Sequence, residues 1–91
     1  MPPKFLDSAD KHGVPRADAV HAIVNATYTR NLGEGPKGGT KTLFIGPAHA
    51  QTDREIEVVV EQYLDGRETD IFHVMELGPK FRRMREGHPN D

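Results

Sequence analysis

Two β-prone runs meeting at a single Asp65-Gly66 pair constrain this chain more than any other feature. In residues 54–64, Ile56, Val58 and Val60 alternate with Glu55, Glu57 and Glu61, the two-residue period of a strand with one apolar face. Residues 67–77 form a second run. Asp-Gly reverses a chain tightly because its glycine accepts the positive φ that a short hairpin turn demands. An antiparallel pair is therefore expected at the C-terminal end of the sheet.

Upstream, residues 40–46 read as another strand, with Leu43 and Ile45 opposed to Thr42 and Phe44, and residues 27–30 as a fourth. Between them lies the glycine-rich stretch 33–39, expected to be a mobile loop. Its continuation, Gly-Gly-Thr-Lys-Thr, fails as a phosphate-binding P-loop. Thr40 intervenes before Lys41, and the segment opens a strand instead of a helix. Two helices are predicted before the strands. Residues 4–12 carry a narrow apolar stripe of Phe5, Leu6 and Ala9, closed by Gly13. Pro15 suits the first turn of the second helix, which runs to about Asn25 or Ala26 and buries Ala17, Val20, Ile23 and Val24. Residues 79–85 are expected to form a short terminal helix, with frayed ends at 1–3 and 87–91. Short links imply a meander, so the expected fold is α+β: two N-terminal helices packed on one face of a four-stranded antiparallel sheet, with a short C-terminal helix.

At 91 residues the chain holds one domain, spanning 1–91. A small core and open sheet edges favour assembly with a second copy or another protein. No cysteine is present, which removes disulfides and thiolate chemistry together. The five histidines have no metal-ligand spacing, so no metal and no cofactor is expected. No apolar run approaches a membrane span and no signal-like segment follows Met1, giving a soluble, cytoplasmic, membrane-free expectation. Net charge is −2, unevenly spread: residues 51–77 hold eight acids against two bases. That acidic stretch reads as a solvated face.

The candidate chemistry lies at the end of the chain. Ile71-Phe72-His73-Val74-Met75-Glu76-Leu77 runs through Gly78-Pro79 into Lys80-Phe81-Arg82-Arg83-Met84-Arg85. An imidazole moves a proton near neutral pH, and cations beside it hold the oxygens of a phosphodiester. Alternation puts Phe72 and Val74 on one face and Ile71, His73, Met75 and Leu77 on the other. If Phe72 and Val74 meet the helices, His73 points to the uncovered face. The bland alternative is a core histidine bonded to a carbonyl, with a solubilising charge run after it.

Lys11-His12-Gly13-Val14, between a short helix and a second helix containing Ala19, followed by a strand meander with Ile45-Gly46, resembles the BrnT family of type II toxin–antitoxin toxins. The resemblance spans roughly residues 5–85. It implies a RelE-like fold and a metal-independent RNA endonuclease, an mRNA interferase of bacterial origin that blocks translation and is neutralised by an antitoxin protein. RNA, on or off the ribosome, would be the substrate, with the ribose 2′-hydroxyl attacking the adjacent phosphate. His73, Lys80, Arg82 and Arg83 are the expected catalytic residues, and Lys11, His12 and Arg85 the expected substrate-binding ones. Such toxins usually carry an Ala-Arg pair where this chain has Val74-Met75, and the acidic stretch repels RNA. A second expectation follows: a catalytically inactive interaction module that binds an antitoxin-like partner.

Overall fold

The computed structural model describes residues 3–87. Its elements run β1 (Lys4–Phe5), a 3-10 turn (Asp7–Asp10), α1 (Arg16–Val24), β2 (Tyr28–Glu34), β3 (Thr40–Pro47), β4 (Glu55–Gln62), β5 (Asp70–Glu76) and α2 (Pro79–Gly87). The strands form one sheet in the order β1-β5-β4-β3-β2. Pairs from β2 to β5 are antiparallel, as their short connections require, whereas β1 runs parallel to β5. The sheet is thus five-stranded and mixed, which corrects the expected four-stranded antiparallel one.

The expected first helix is replaced by β1 and the 3-10 turn. Leu6 is extended (φ −83°, ψ 160°). Lys4 N–H donates to the Thr69 carbonyl at 2.8 Å, and Leu6 N–H to that of Ile71 at 2.9 Å. Ser8 Oγ then donates to the Phe72 carbonyl at 2.7 Å, stitching the turn to the same edge. A helix this short has little stability of its own, so an open strand edge offering a ladder wins. Phe5 and Ala9 reach the core regardless, because strand plus turn buries them as well as a helical stripe would.

The single N-terminal helix, α1, lies on one face of the sheet, where two were expected, and α2 lies on the other. On the face covered by α1 and the 3-10 turn sit Ile56, Val58 and Val60 of β4 with Ile71 and Val74 of β5. The helix meets them through Ala19 and Ala22, both fully buried, and through the half-buried Ile23 of the expected stripe, while Ala17, Val20 and Val24 are exposed. The predicted apolar stripe was therefore offset from the true contact face. Small residues win that face because helix and sheet approach closely: a Cβ on Gly46 of β3 would collide with the Ala22 carbonyl. On the opposite face Tyr28, Leu43, Ile45 and Val59 pack with Leu77 and with Phe81 of α2.

The acidic strand β4 is not a solvated face. Glu57 and Glu61 are 4% and 1% exposed. Buried carboxylates need donors, and each has them. Glu61 accepts from the backbone N–H of Lys37 (2.9 Å) and Gly39 (2.8 Å), which ties down the loop expected to be mobile. Buried Asp70 accepts from the Tyr63 hydroxyl (2.8 Å) and from Lys37 Nζ (3.3 Å). Burial pushes its carboxyl upward, but Tyr63 and Lys37 more than offset this and hold it below the usual carboxylate range. Among the described residues no buried side-chain polar atom lacks a hydrogen-bond partner.

Candidate functional site

A β-bulge in β5 creates the site. Ile71 pairs with Val60 and His73 with Val59, leaving Phe72 as the extra residue. A bulge places two successive side chains on one side of the sheet. Phe72 and His73 accordingly both stand on the α2 face, while Ile71 and Val74 go to the face of α1 and the 3-10 turn. Strict alternation had separated Phe72 from His73 and joined His73 to Ile71; the bulge reverses both assignments.

Glu57, the nearest acid on the neighbouring strand, completes the arrangement. Nε2 of His73 lies 2.6 Å from Oε2 of Glu57, and the other carboxylate oxygen accepts Gly78 N–H at 2.8 Å. A carboxylate only accepts, so Nε2 carries the proton and Nδ1 is the nitrogen Glu57 does not engage. Glu57 is almost wholly enclosed, whereas the His73 side chain keeps 29% of its surface open. The imidazole is thus fixed at its base and open at its edge. This is the geometry of a proton carrier held in one tautomer by a buried acid.

His73 and Glu57 line a hollow of about 760 Å³ between the sheet and α2. Lys41 of β3 and Lys80 and Arg83 of α2 also line it. None of these three cations forms an ion pair among the described residues. Lys80 Nζ lies 5.3 Å from the Phe81 ring centroid, and the residue is exposed. Three cations and an imidazole thus line one hollow, a combination of groups able to engage an anion.

The remaining predicted residues divide. The His12 ring stands edge-on to that of His73, with centroids 5.8 Å apart. Gly13, at φ 72°, turns the chain there toward α1, a conformation that favours glycine. Lys11 is exposed and is not part of the hollow's lining. Arg82 lies on the other side of α2, beside Asp53 and Glu76, with Nη2 3.5 Å from the Leu77 carbonyl oxygen. Arg85 clamps Glu55 through two hydrogen bonds of 2.5 and 3.2 Å, and that carboxylate holds its guanidinium above the usual value. The structure therefore brings His73, Lys80 and Arg83 into the hollow, sets the exposed His12 against His73 outside that lining, and sends Lys11, Arg82 and Arg85 elsewhere.

Two members of the cluster were absent from the sequence reading. Glu57 looked like part of a solvated face, and Lys41 like part of a failed phosphate loop. Glu57 had a signal in the sequence, since a two-strand register across Asp65-Gly66 sets β4 acids beside the His73 strand. Of the other histidines, His21 is half-buried and donates Nδ1–H to the Pro47 carbonyl at 3.1 Å, and His49 is exposed in a turn. His88 and the expected frayed residues 1–2 and 88–91 lie outside the described residues, while Pro3 is half-buried and Gly87 closes α2. Among the described residues no group of three histidines or acids is placed to hold a metal ion. No described helix is long and apolar enough to cross a membrane. Neither a protein-family model, nor a curated protein, nor a solved structure matches the chain.

Proposed function

We propose that the hollow between the sheet and α2 cleaves RNA without a metal ion, by transesterification. The observation that carries this reading is the His73–Glu57 pair in a hollow also lined by Lys41, Lys80 and Arg83. His73 Nδ1 takes the proton of a ribose 2′-hydroxyl as that oxygen bonds to the adjacent phosphorus. The bond from phosphorus to the 5′-oxygen of the next nucleotide breaks. His12, edge-on to His73, gives its proton to that leaving oxygen. A 2′,3′-cyclic phosphate and a 5′-hydroxyl result, and solvent restores the two imidazoles. Lys41, Lys80 and Arg83 hold the phosphoryl oxygens as charge develops, a role worth on the order of 10²–10³ in rate for one well-placed donor. The BrnT-like motif supplies a biological setting for such chemistry: a toxin acting on mRNA and restrained by an antitoxin.

Purified chain should cut single-stranded RNA in the presence of a chelator, with His73→Ala and Arg83→Ala each slowed at least a hundredfold. Equal activity in all three would remove this site from the mechanism.

A second reading rests on the two arginines of α2 that turn away from the hollow. Arg85 is committed to Glu55 and Arg82 to the opposite side of the helix. The module would then bind an antitoxin-like protein without cutting RNA. Growth arrest on expression, abolished by His73→Ala, favours the enzyme; normal growth with partner capture favours the module.

A further inference from the structure

The cleavage chemistry uses only part of the hollow's lining. Another part is apolar: Leu32 of β2, Phe72 of the bulge and Met84 of α2 stand around Val59 and Phe81. Leu32, Phe72 and Met84 are each half-buried, so the wall they form remains partly open. Building on the ribonuclease reading, we propose that this wall is a nucleobase subsite for single-stranded RNA, holding the base of a nucleotide that adjoins the scissile phosphate.

Three observations select that occupant. The bulge puts Phe72 and His73 side by side on one face, so an apolar platform and the proton carrier are consecutive residues. Ribose spans a comparable step between base and phosphate. The hollow's volume, about 760 Å³, lies inside the range of roughly 300–1,000 Å³ typical of small-ligand sites. Finally, Lys41, Lys80 and Arg83 share the cavity with this wall and have no acidic partner within the described residues. An apolar peptide side chain would fill the wall and leave those charges unanswered, whereas a nucleotide answers both halves. Bases in a duplex are stacked and paired, out of reach of such a wall, so the ligand is single-stranded.

Binding is the direct test, because it needs no knowledge of where the chain cuts. The full chain is titrated by fluorescence anisotropy with an end-labelled 2′-O-methyl hexanucleotide, which cannot be cleaved, and with the same backbone carrying abasic sugars throughout. The intact oligonucleotide should bind roughly 5- to 150-fold more tightly, the worth of one base on an aromatic platform. Phe72→Leu and Met84→Ala should lower affinity for the intact strand while leaving affinity for the abasic backbone unchanged, a pattern that a folding defect does not produce. Equal affinity for the two backbones, or binding of neither, overturns the subsite. RNA cleavage measured in parallel separates this proposal from the one beneath it. Cleavage with equal affinities sinks the base site alone, and base-dependent binding without cleavage sinks the nuclease alone.

Discussion

Replacing Glu57 tests the site at its least exposed point. In Glu57→Gln the shape is kept and the charge is lost. The amide oxygen can still accept Gly78 N–H, which leaves the amide NH₂ facing Nε2 of His73, 2.6 Å away in the native pair. A donor facing a donor is repulsive, so the ring moves its proton to Nδ1, the nitrogen needed as base. Acid–base participation contributes about 10²–10⁴ in rate, and most of that should vanish while RNA affinity is kept. Stability should change less. A charge-assisted bond becomes a neutral one, a loss of about 1 kcal/mol, or a fall of roughly 4–8 °C in Tm for a chain this size. Glu57→Ala differs because it strands both Gly78 N–H and the ring. At about 1–3 kcal/mol for each unsatisfied group, reduced for His73 by its partial exposure, it should lower Tm well beyond the glutamine variant. Cleavage kinetics and thermal melts are read on the same preparations. A glutamine variant that cuts at the native rate would refute the tautomer argument outright.

Other substitutions separate scaffold from site. Gly46→Ala drives a methyl into the Ala22 carbonyl and should cost about 1–3 kcal/mol in chemical denaturation, with melting, not intrinsic cleavage, as the affected quantity. Arg83→Ala should slow cleavage by about 10²–10³ at unchanged Tm. Arg85→Ala should do the reverse, losing about 0.5 kcal/mol with its partly exposed Glu55 partner and none of the rate. Asp70 is held below its ordinary value of 3.8, so its stabilising contribution is complete above that pH and fades as pH falls through the lower folded-state value. Asp70→Asn should therefore be less stable than the parent at neutral pH, and the gap between them should close in acid denaturation below about pH 4.

What could be read from residues alone followed the strength of local pattern. Strands β3 to β5 carry alternation, α1 directly follows Pro15 and α2 begins at Pro79, so each appeared within a few residues of its observed place. Two residues cannot display a period, which hid β1; the Phe5–Leu6–Ala9 stripe then mimicked a helix. The side of α1 that packs was missed for a different reason. Valine and isoleucine dominate any apolar count, but the closeness of the Ala22 backbone to Gly46 makes alanine the residue that fits. The bulge at Phe72 has no local signal either. It is fixed by cross-strand pairing, and with it went the facing of every residue on one side of His73.

Charge, like facing, is decided by pairing across the strands. Counted along the chain, the stretch 51–77 is strongly acidic, a balance that would repel RNA. Counted in space, its carboxylates are mostly engaged: Glu55 with Arg85, Glu57 with His73, Glu61 with the loop backbone, Asp70 with Lys37 and Tyr63, and Glu76 with Arg54. A buried or paired carboxylate contributes little field at a hollow lined by unpaired cations, because its partner cancels it at short range. The relevant balance is that of the hollow, where Lys41, Lys80 and Arg83 face one enclosed acid. Affinity for the uncleavable oligonucleotide should accordingly fall with added salt, with a slope reflecting those few contacts. Lys80→Ala and Arg83→Ala should each flatten that slope by about 0.7, the single-strand value per phosphate contact, whereas Arg82→Ala should leave it alone. An Arg82 variant that changes the slope as much as the other two would place the RNA on the wrong side of α2 for His73 to reach it.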